Sequence, residues 1–332
     1  MTPTDTSFIT SAASRKKSMM LRILVVLVSC AAVLIGAVAV IALAPWRSAH
    51  STQPVHYLGA AESDAPYSYA GLDQFAKRIG RQPNLAVYYS RWLDPFQASF
   101  AVSAAEHGAT TLVQLAPRNV SLSSIADGQF DSYLRSYATA VKTFGRQVIL
   151  SFGHEMNGPW YSWGYGHTSP KVFVAAWRHI VTVFRAAGAS NVTWLWTINI
   201  FTMRNPSIAN PASWWPGNSY VNWVGIDGYY FTHSQDFAQV FGSTIVGVRM
   251  LTSDPIIISE TGALPTDNQS AKVTDLFNGV RSYGLLGFVW FDIKDTTLNL
   301  DWRLSSRAAI TYRQDAKAFM EPPATPESTG GP

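Results

Sequence analysis

From Tyr57 onward, short runs of successive apolar residues alternate with longer stretches in which apolar residues recur every three or four positions. The short runs predict strands at Tyr57–Ala60, Leu85–Tyr89, Thr111–Leu115, Gln147–Phe152, Val192–Ile198, Trp223–Tyr229, Pro255–Ser259 and Gly287–Phe291. Runs without polar alternation suit strands covered on both faces, as in parallel sheets. Between them, Phe130–Phe144 aligns Phe130, Leu134, Tyr137, Val141 and Phe144 on one helical face. Val172–Ala187 follows Ser169-Pro170, a cap residue and a first-turn proline, and stops near Gly188. Gln269–Tyr283 and Ala308–Phe319 read as further helices. Eight strands, each followed by a helix or helix-like stretch over roughly 270 residues, predict a (β/α)8 TIM barrel spanning 57–320. An open doubly wound sheet is the alternative, but no G-x-G-x-x-G turn follows the first strand. No fixed-period repeat suggests a solenoid.

The pattern upstream is different. Ile23 to Ala44 is almost wholly apolar, about the 20 residues that a helix needs to cross a bilayer. Arg15-Lys16-Lys17 and Arg22 precede it, which predicts a cytoplasmic segment 1–22, a single-pass anchor in the lipid bilayer at 23–44, and an extracytoplasmic domain. Residues 45–56 read as a linker and 321–332 as a disordered tail. Secretion after cleavage at Ala42-Leu43-Ala44 is the alternative, though Pro45 would hinder it. Leu27-Val28-Ser29-Cys30 resembles a lipidation box, but the chain stays apolar after it.

Charge sharpens the picture. The first fifty residues hold five of the 25 basic and one of the 21 acidic side chains, leaving 20 of each for the remainder. The predicted barrel carries no net charge to attract phosphate backbones, so nucleic acid is excluded as a partner. Cys30 is the single cysteine, so no intrachain disulfide forms.

In such a barrel, chemistry sits at the C-terminal strand ends. There the sequence places His154, Glu155 and Asn157 after the fourth strand, and Asp227, Tyr229 and Tyr230 around the end of the sixth. Glu260 follows the seventh strand, and Trp290 and Asp292 the eighth. Glu155 and Glu260 leave strands on nearly opposite sides, so they can face one another across the mouth. Two carboxyls flanking an acetal, one protonated and one ionised, are what glycoside hydrolysis needs, with a gap of about 5 Å suiting covalent capture. Trp160 and Trp163 offer flat apolar rings for the C–H faces of sugars. Arg118 and Asn119, past the third strand, are candidate hydroxyl ligands, whereas Trp194, Trp196 and Trp223 read as core. Trp214-Trp215 fits either a sugar platform or a loop plug. His154 lacks the second histidine of a zinc motif, so no metal and no cofactor is expected.

The string His154-Glu155-x-Asn157-Gly158-x-Trp160-x-x-Trp163, with Ser259-Glu260-Thr261-Gly262, resembles glycoside hydrolase family 26, which contains β-mannanases with some β-glucanases and β-xylanases. The resemblance implies a retaining double displacement with Glu155 as acid/base and Glu260 as nucleophile. It implies that Tyr229 hydrogen-bonds the nucleophile, that Trp160 and Trp290 line central subsites, and that His154, Asn157, Trp163 and Asp227 assist binding. Ser151-Phe152-Gly153 stands where many mannanases of that family have an arginine and a proline, which leaves a β-glucan open beside β-1,4-mannan. The expectation is a monomeric, membrane-tethered endo-β-glycosidase acting on a neutral β-linked polysaccharide. The alternative is a non-catalytic, tethered glycan-binding protein on the same barrel.

Overall fold

The computed structural model describes residues 56–201, 208–266, 268–296 and 299–320. The expected cytoplasmic segment, membrane anchor, nearly all of the linker and the tail lie outside these residues. Among the described residues no helix is long and apolar enough to cross a membrane.

Eight parallel strands close into a barrel in chain order. They are β1 (Tyr57–Ala61), β2 (Leu85–Arg91), β3 (Thr110–Ala116), β4 (Val148–Phe152), β5 (Val192–Asn199), β6 (Trp223–Asp227), β7 (Ile256–Thr261) and β8 (Gly287–Phe291). Helices cover the outside: α1 (Ala70–Ile79), α2 (Ala98–Glu106), the short α3 (Leu122–Ala126), α4 (Asp131–Phe144), α5 (Pro170–Ala186), α6 (Ser243–Leu251), α7 (Gln269–Ser282) and α8 (Ser306–Met320). The predicted (β/α)8 barrel is therefore the fold. Helix α4 buries Leu134, Tyr137, Ala138 and Val141, the stripe that its apolar spacing marks. The hydroxyl of Ser169 caps α5, accepting from the Val172 N–H, with Pro170 in the first turn. An unforeseen two-stranded hairpin, β9 (Lys294–Asp295) with β10 (Leu300–Asp301), follows β8.

Inside the barrel, Leu85, Val87, Leu112, Ile149, Leu195, Ile257 and Val289 form an apolar plug. Side chains two residues apart along a strand share a face. One such step toward the C-terminal end, the plug gives way to a buried polar tier of Gln114, Ser151, Thr197 and Ser259. Ser151 and Thr197 hydrogen-bond at 2.9 Å, and the Ser259 hydroxyl donates to Asp227 at 2.6 Å. The tier closes over Gly225, where a Cβ would stand 2.4 Å from Ser259 Oγ and 2.9 Å from Thr197 Oγ1. Trp194 and Trp196 are buried as expected, and Trp223 packs against Tyr57 with ring centroids 5.2 Å apart. Of the two readings for Trp214-Trp215, the plug is the one found: Trp214 is buried and Trp215 lies 5.0 Å from the Trp196 ring.

Candidate active site

Above the polar tier opens a cavity of about 1460 Å³, walled largely by Trp92, Phe130, Trp160, Tyr161, Phe231, Phe291 and Trp302. Both Glu155 and Glu260 line it. Two local departures from regular backbone aim them. Strand β7 is irregular against both neighbours: Ile226 pairs with Ile258, but Asp227 pairs with Glu260, skipping Ser259. Strict alternation would send Ser259 inward and Glu260 outward. The extra residue lets both turn toward the barrel axis, as bulges beside active sites do. Beyond β4 the chain turns sharply through Gly153 (φ 56°) and Glu155 (φ 54°). A non-glycine residue in the left-handed region carries a backbone cost of about 1–3 kcal/mol that the surroundings must hold. Here the Glu155 N–H donates to the Thr197 carbonyl at 2.9 Å, pinning the turn to β5.

The two carboxylates have different neighbours. Glu260 accepts hydrogen bonds from the phenols of Tyr229 on one oxygen and Tyr89 on the other. Glu155 accepts from Asn199 Nδ2 at 2.6 Å and from Trp160 Nε1 at 2.7 Å. Burial raises both carboxyls above their ordinary range. For Glu155 the negative charge of Glu260 adds to burial and brings it to about 7, against the lowering pull of Asn199 and Trp160. For Glu260 the two phenol donors oppose burial by stabilising the anion. The phenol donors favour the Glu260 anion, and that negative charge is among the causes that hold the Glu155 carboxyl up at about 7. That asymmetry is the one a proton donor and an anionic nucleophile require.

His154 lies on the cavity wall, surrounded by the rings of Tyr161, Tyr89 and Trp163 at 5.0, 5.7 and 5.7 Å. Burial, then the Arg118 charge, lowers its pKa to about 3, so the imidazole is neutral. Trp160 is 46% exposed and lies flat over Gly158, where a Cβ would come within 2.2 Å of its ring. Only glycine leaves room for the indole N–H to reach Glu155.

Several expected ligands sit behind the wall instead of on it. Trp163 is 2% exposed; it stacks on Tyr161 at 4.3 Å and donates to the His154 carbonyl. Trp290 is fully buried and donates to the Trp302 carbonyl at 3.0 Å. Both are supports: alternation along β8 gives the cavity to Phe291 and turns Trp290 outward, and Tyr161, stacked on Trp163, takes the place on the wall. Asn157 is buried and exchanges hydrogen bonds with the Asn199 backbone, steadying the residue that grips Glu155. Asp227 lies in the floor beneath the carboxylates; burial, then the charges of Glu260 and Glu155, pushes its pKa well up. Tyr229, His154 and Trp160 do line the cavity, as do Arg118 and Asn119.

Tyr89, Asn199 and Trp302 are absent from the sequence reading. Tyr89 and Asn199 are the polar residues at the inward-facing ends of β2 and β5, a position that could have marked them. Trp302 comes from the unforeseen hairpin, where its ring rests 4.2 Å from Tyr229. Among the described residues no group of His, Cys, Asp or Glu is placed to hold a metal ion.

The family model for glycosyl hydrolase family 26 matches residues 121–271, which include both carboxylates. Endoglucanase H of Acetivibrio thermocellus is 30% identical over 268 residues, 74% of this chain and 29% of that protein. The mannan endo-1,4-beta-mannosidase A and B of Caldalkalibacillus mannanilyticus is 27% identical over 93 residues, 26% of this chain and 17% of that protein. The chain thus spans under a third of the length of these relatives. Among solved structures, a GH26 beta-mannanase from Bacteroides ovatus superposes with a TM-score of 0.61 at 16% identity, covering 81% of this chain and 90% of that one. With the barrel and its two carboxylates in place, these matches make the chain a member of glycosyl hydrolase family 26.

Proposed function

We propose that the barrel is a retaining endo-β-glycosidase that hydrolyses a neutral β-linked polysaccharide, β-1,4-mannan or a β-glucan. The observation that carries this reading is the pair of buried carboxyls, each with its own hydrogen-bond donors, in one aromatic-walled cavity. Glu260 attacks the anomeric carbon while Glu155 gives its proton to the departing glycosidic oxygen. The result is a glycosyl ester on Glu260 and a freed chain end. Glu155, now a carboxylate, takes a proton from water as that water attacks the anomeric carbon and displaces the Glu260 carboxylate, which regenerates both groups. Tyr229 and Tyr89 hold Glu260 between them, and Trp160 and Asn199 fix the angle of Glu155. The rings of Tyr161, Phe291 and Trp302 supply apolar faces for successive sugars. Relatives named as an endoglucanase and a mannan endo-1,4-beta-mannosidase support a β-glycan substrate.

The test is reducing-end release from mannan and β-glucans by the wild type, Glu155→Gln and Glu260→Ala, with the configuration of the first product followed by NMR. We expect retention by the wild type and loss of at least about 10³-fold in each variant. Full activity in either variant, or inversion, would refute the assignment. The run 23–44 supports a further proposal, that this domain acts while tethered outside a membrane. Recovery of the full-length chain in the soluble fraction, without detergent, would overturn it.

A further inference from the structure

We infer that the cleft is built for a glycan carrying an anionic substituent, a carboxylate or a sulfate ester, received by Arg91 and Arg118. This rests on the hydrolase reading above and keeps its β-linked backbone, but replaces the neutral chain with one that bears anionic substituents. Strands β2 and β3 are neighbours, with Arg91 paired to Ala116 at their C-terminal ends and Arg118 two residues further on. Both arginines line the cavity. The Arg118 guanidinium stands 5.8 Å from the centre of the Tyr161 ring, itself 5.0 Å from His154, so this charge lies one ring away from the catalytic wall.

The forks of both are uncommitted. Neither makes an ion pair with a carboxylate among the described residues. Asp94, three residues from Arg91, accepts that residue's backbone N–H at 3.0 Å instead. Several arginines elsewhere have settled partners: Arg78 holds Asp292 and the Leu304 carbonyl, Arg178 the Pro216 carbonyl, and Arg303 the Asp301 carboxylate. Of the cavity's acids, Glu155 is bonded to Asn199 and Trp160 and Glu260 to two phenols, not to either guanidinium. A guanidinium presents five donors in a planar fork, which matches a carboxylate or sulfate far better than single hydroxyls. A neutral sugar would use these donors without using their charge.

The test uses the full-length protein with β-1,4-mannan and mixed-linkage β-glucan. Each polymer is prepared neutral, partly oxidised at C6 to the uronate, and lightly sulfated. We expect kcat/KM on an anionic form of the cleaved backbone to exceed that on its neutral form by about tenfold. The excess should shrink at high ionic strength, and the anionic-to-neutral ratio should collapse in an Arg91→Gln/Arg118→Gln variant. The uronate and sulfate arms identify which anion is taken. Equal rates on neutral and anionic forms, or an anionic preference that survives the double substitution, would overturn the inference. Calorimetric titration of short chains cut from the same neutral, oxidised and sulfated polymers into Glu260→Ala gives a readout without turnover. Arginine-dependent binding of anionic chains with no cleavage by the wild type would sink the hydrolase reading and leave this inference standing. Cleavage of neutral chains with no gain from the anion would do the reverse.

Discussion

Glu155 has a pKa of about 7 in the folded chain against an ordinary 4.5, chiefly because its carboxyl is dry. A carboxyl raised in this way contributes its full stability below pH 4.5. As pH climbs through 7, the unfolded chain has already released the proton while the folded one must ionise in a buried site, and that stability is lost. Glu155→Gln removes this penalty. We expect it to melt above the wild type at pH 8, by up to ~3 kcal/mol, with the gain shrinking toward pH 4. The amide also loses one of the two acceptor bonds, which offsets part of the gain at pH 8, where Glu155 is the anion those donors favour. Thermal melts across that range check the slope, and a pH-independent difference would contradict the raised carboxyl. Activity should follow the same group: kcat/KM falls as Glu155 ionises above about pH 7 and falls again as Glu260 protonates in acid, giving a bell. Tyr89→Phe takes one donor from the Glu260 anion. The acid limb should therefore move to higher pH, with kcat down by about tenfold or more. An unmoved limb would mean that Tyr89 does not govern the nucleophile.

At the scale of elements, the decisive pieces are the β7 irregularity, the turn after β4 and the β9–β10 hairpin. The hairpin is anchored from behind. The Asp292 carboxylate accepts from the Leu304 N–H at 2.6 Å and from Arg78, and Arg78 also reaches the Leu304 carbonyl at 2.9 Å. Segment 291–295 is a partition: Phe291, Ile293 and Asp295 face the cavity, while Asp292 and Lys294 face a smaller polar pocket with Glu62 and Arg78. Asp292→Ala should leave the buried Leu304 N–H without an acceptor, take one carboxylate from the partly exposed Arg78 and loosen the hairpin. The expected result is a loss of about 1–3 kcal/mol in stability, with KM for polymer rising as Trp302 drifts from Tyr229. Chemical denaturation and steady-state kinetics on the same variant check both halves. The hairpin also explains what sequence reading missed. Two-residue strands carry too little periodicity to register, and their order comes from Asp292 and Arg78, 214 residues apart in the chain.

At the scale of the whole molecule, the barrel sets the size of the ligand. A cavity of about 1460 Å³ exceeds the roughly 300–1,000 Å³ of small-molecule pockets, which gives the proposed substrate room for several sugar units. Early products from a long polymer should therefore be oligosaccharides of mixed length. Chromatography of a short digest that showed only single sugars would contradict a cleft of this extent. The raised carboxyls are likewise a property of the assembled barrel, since desolvation by burial leads the causes for Glu155, Glu260 and Asp227 alike.

The sequence by itself determined the eight-strand alternation, because burial on both faces writes continuous apolar runs into each strand. It also determined which two glutamates stand at opposite strand ends, because strand order and position suffice to place them. It did not decide which aromatic rings meet the ligand. Trp160, Trp163 and Trp290 are equivalent on paper, yet packing against Gly158, Tyr161 and Trp302 leaves only the first on the cavity wall. Nor did it decide that Glu260 points inward, since two-residue alternation predicts the opposite. That direction comes from one unpaired residue in β7 and two phenols supplied by β2 and the β6 exit, a constraint that exists only once distant strands are side by side.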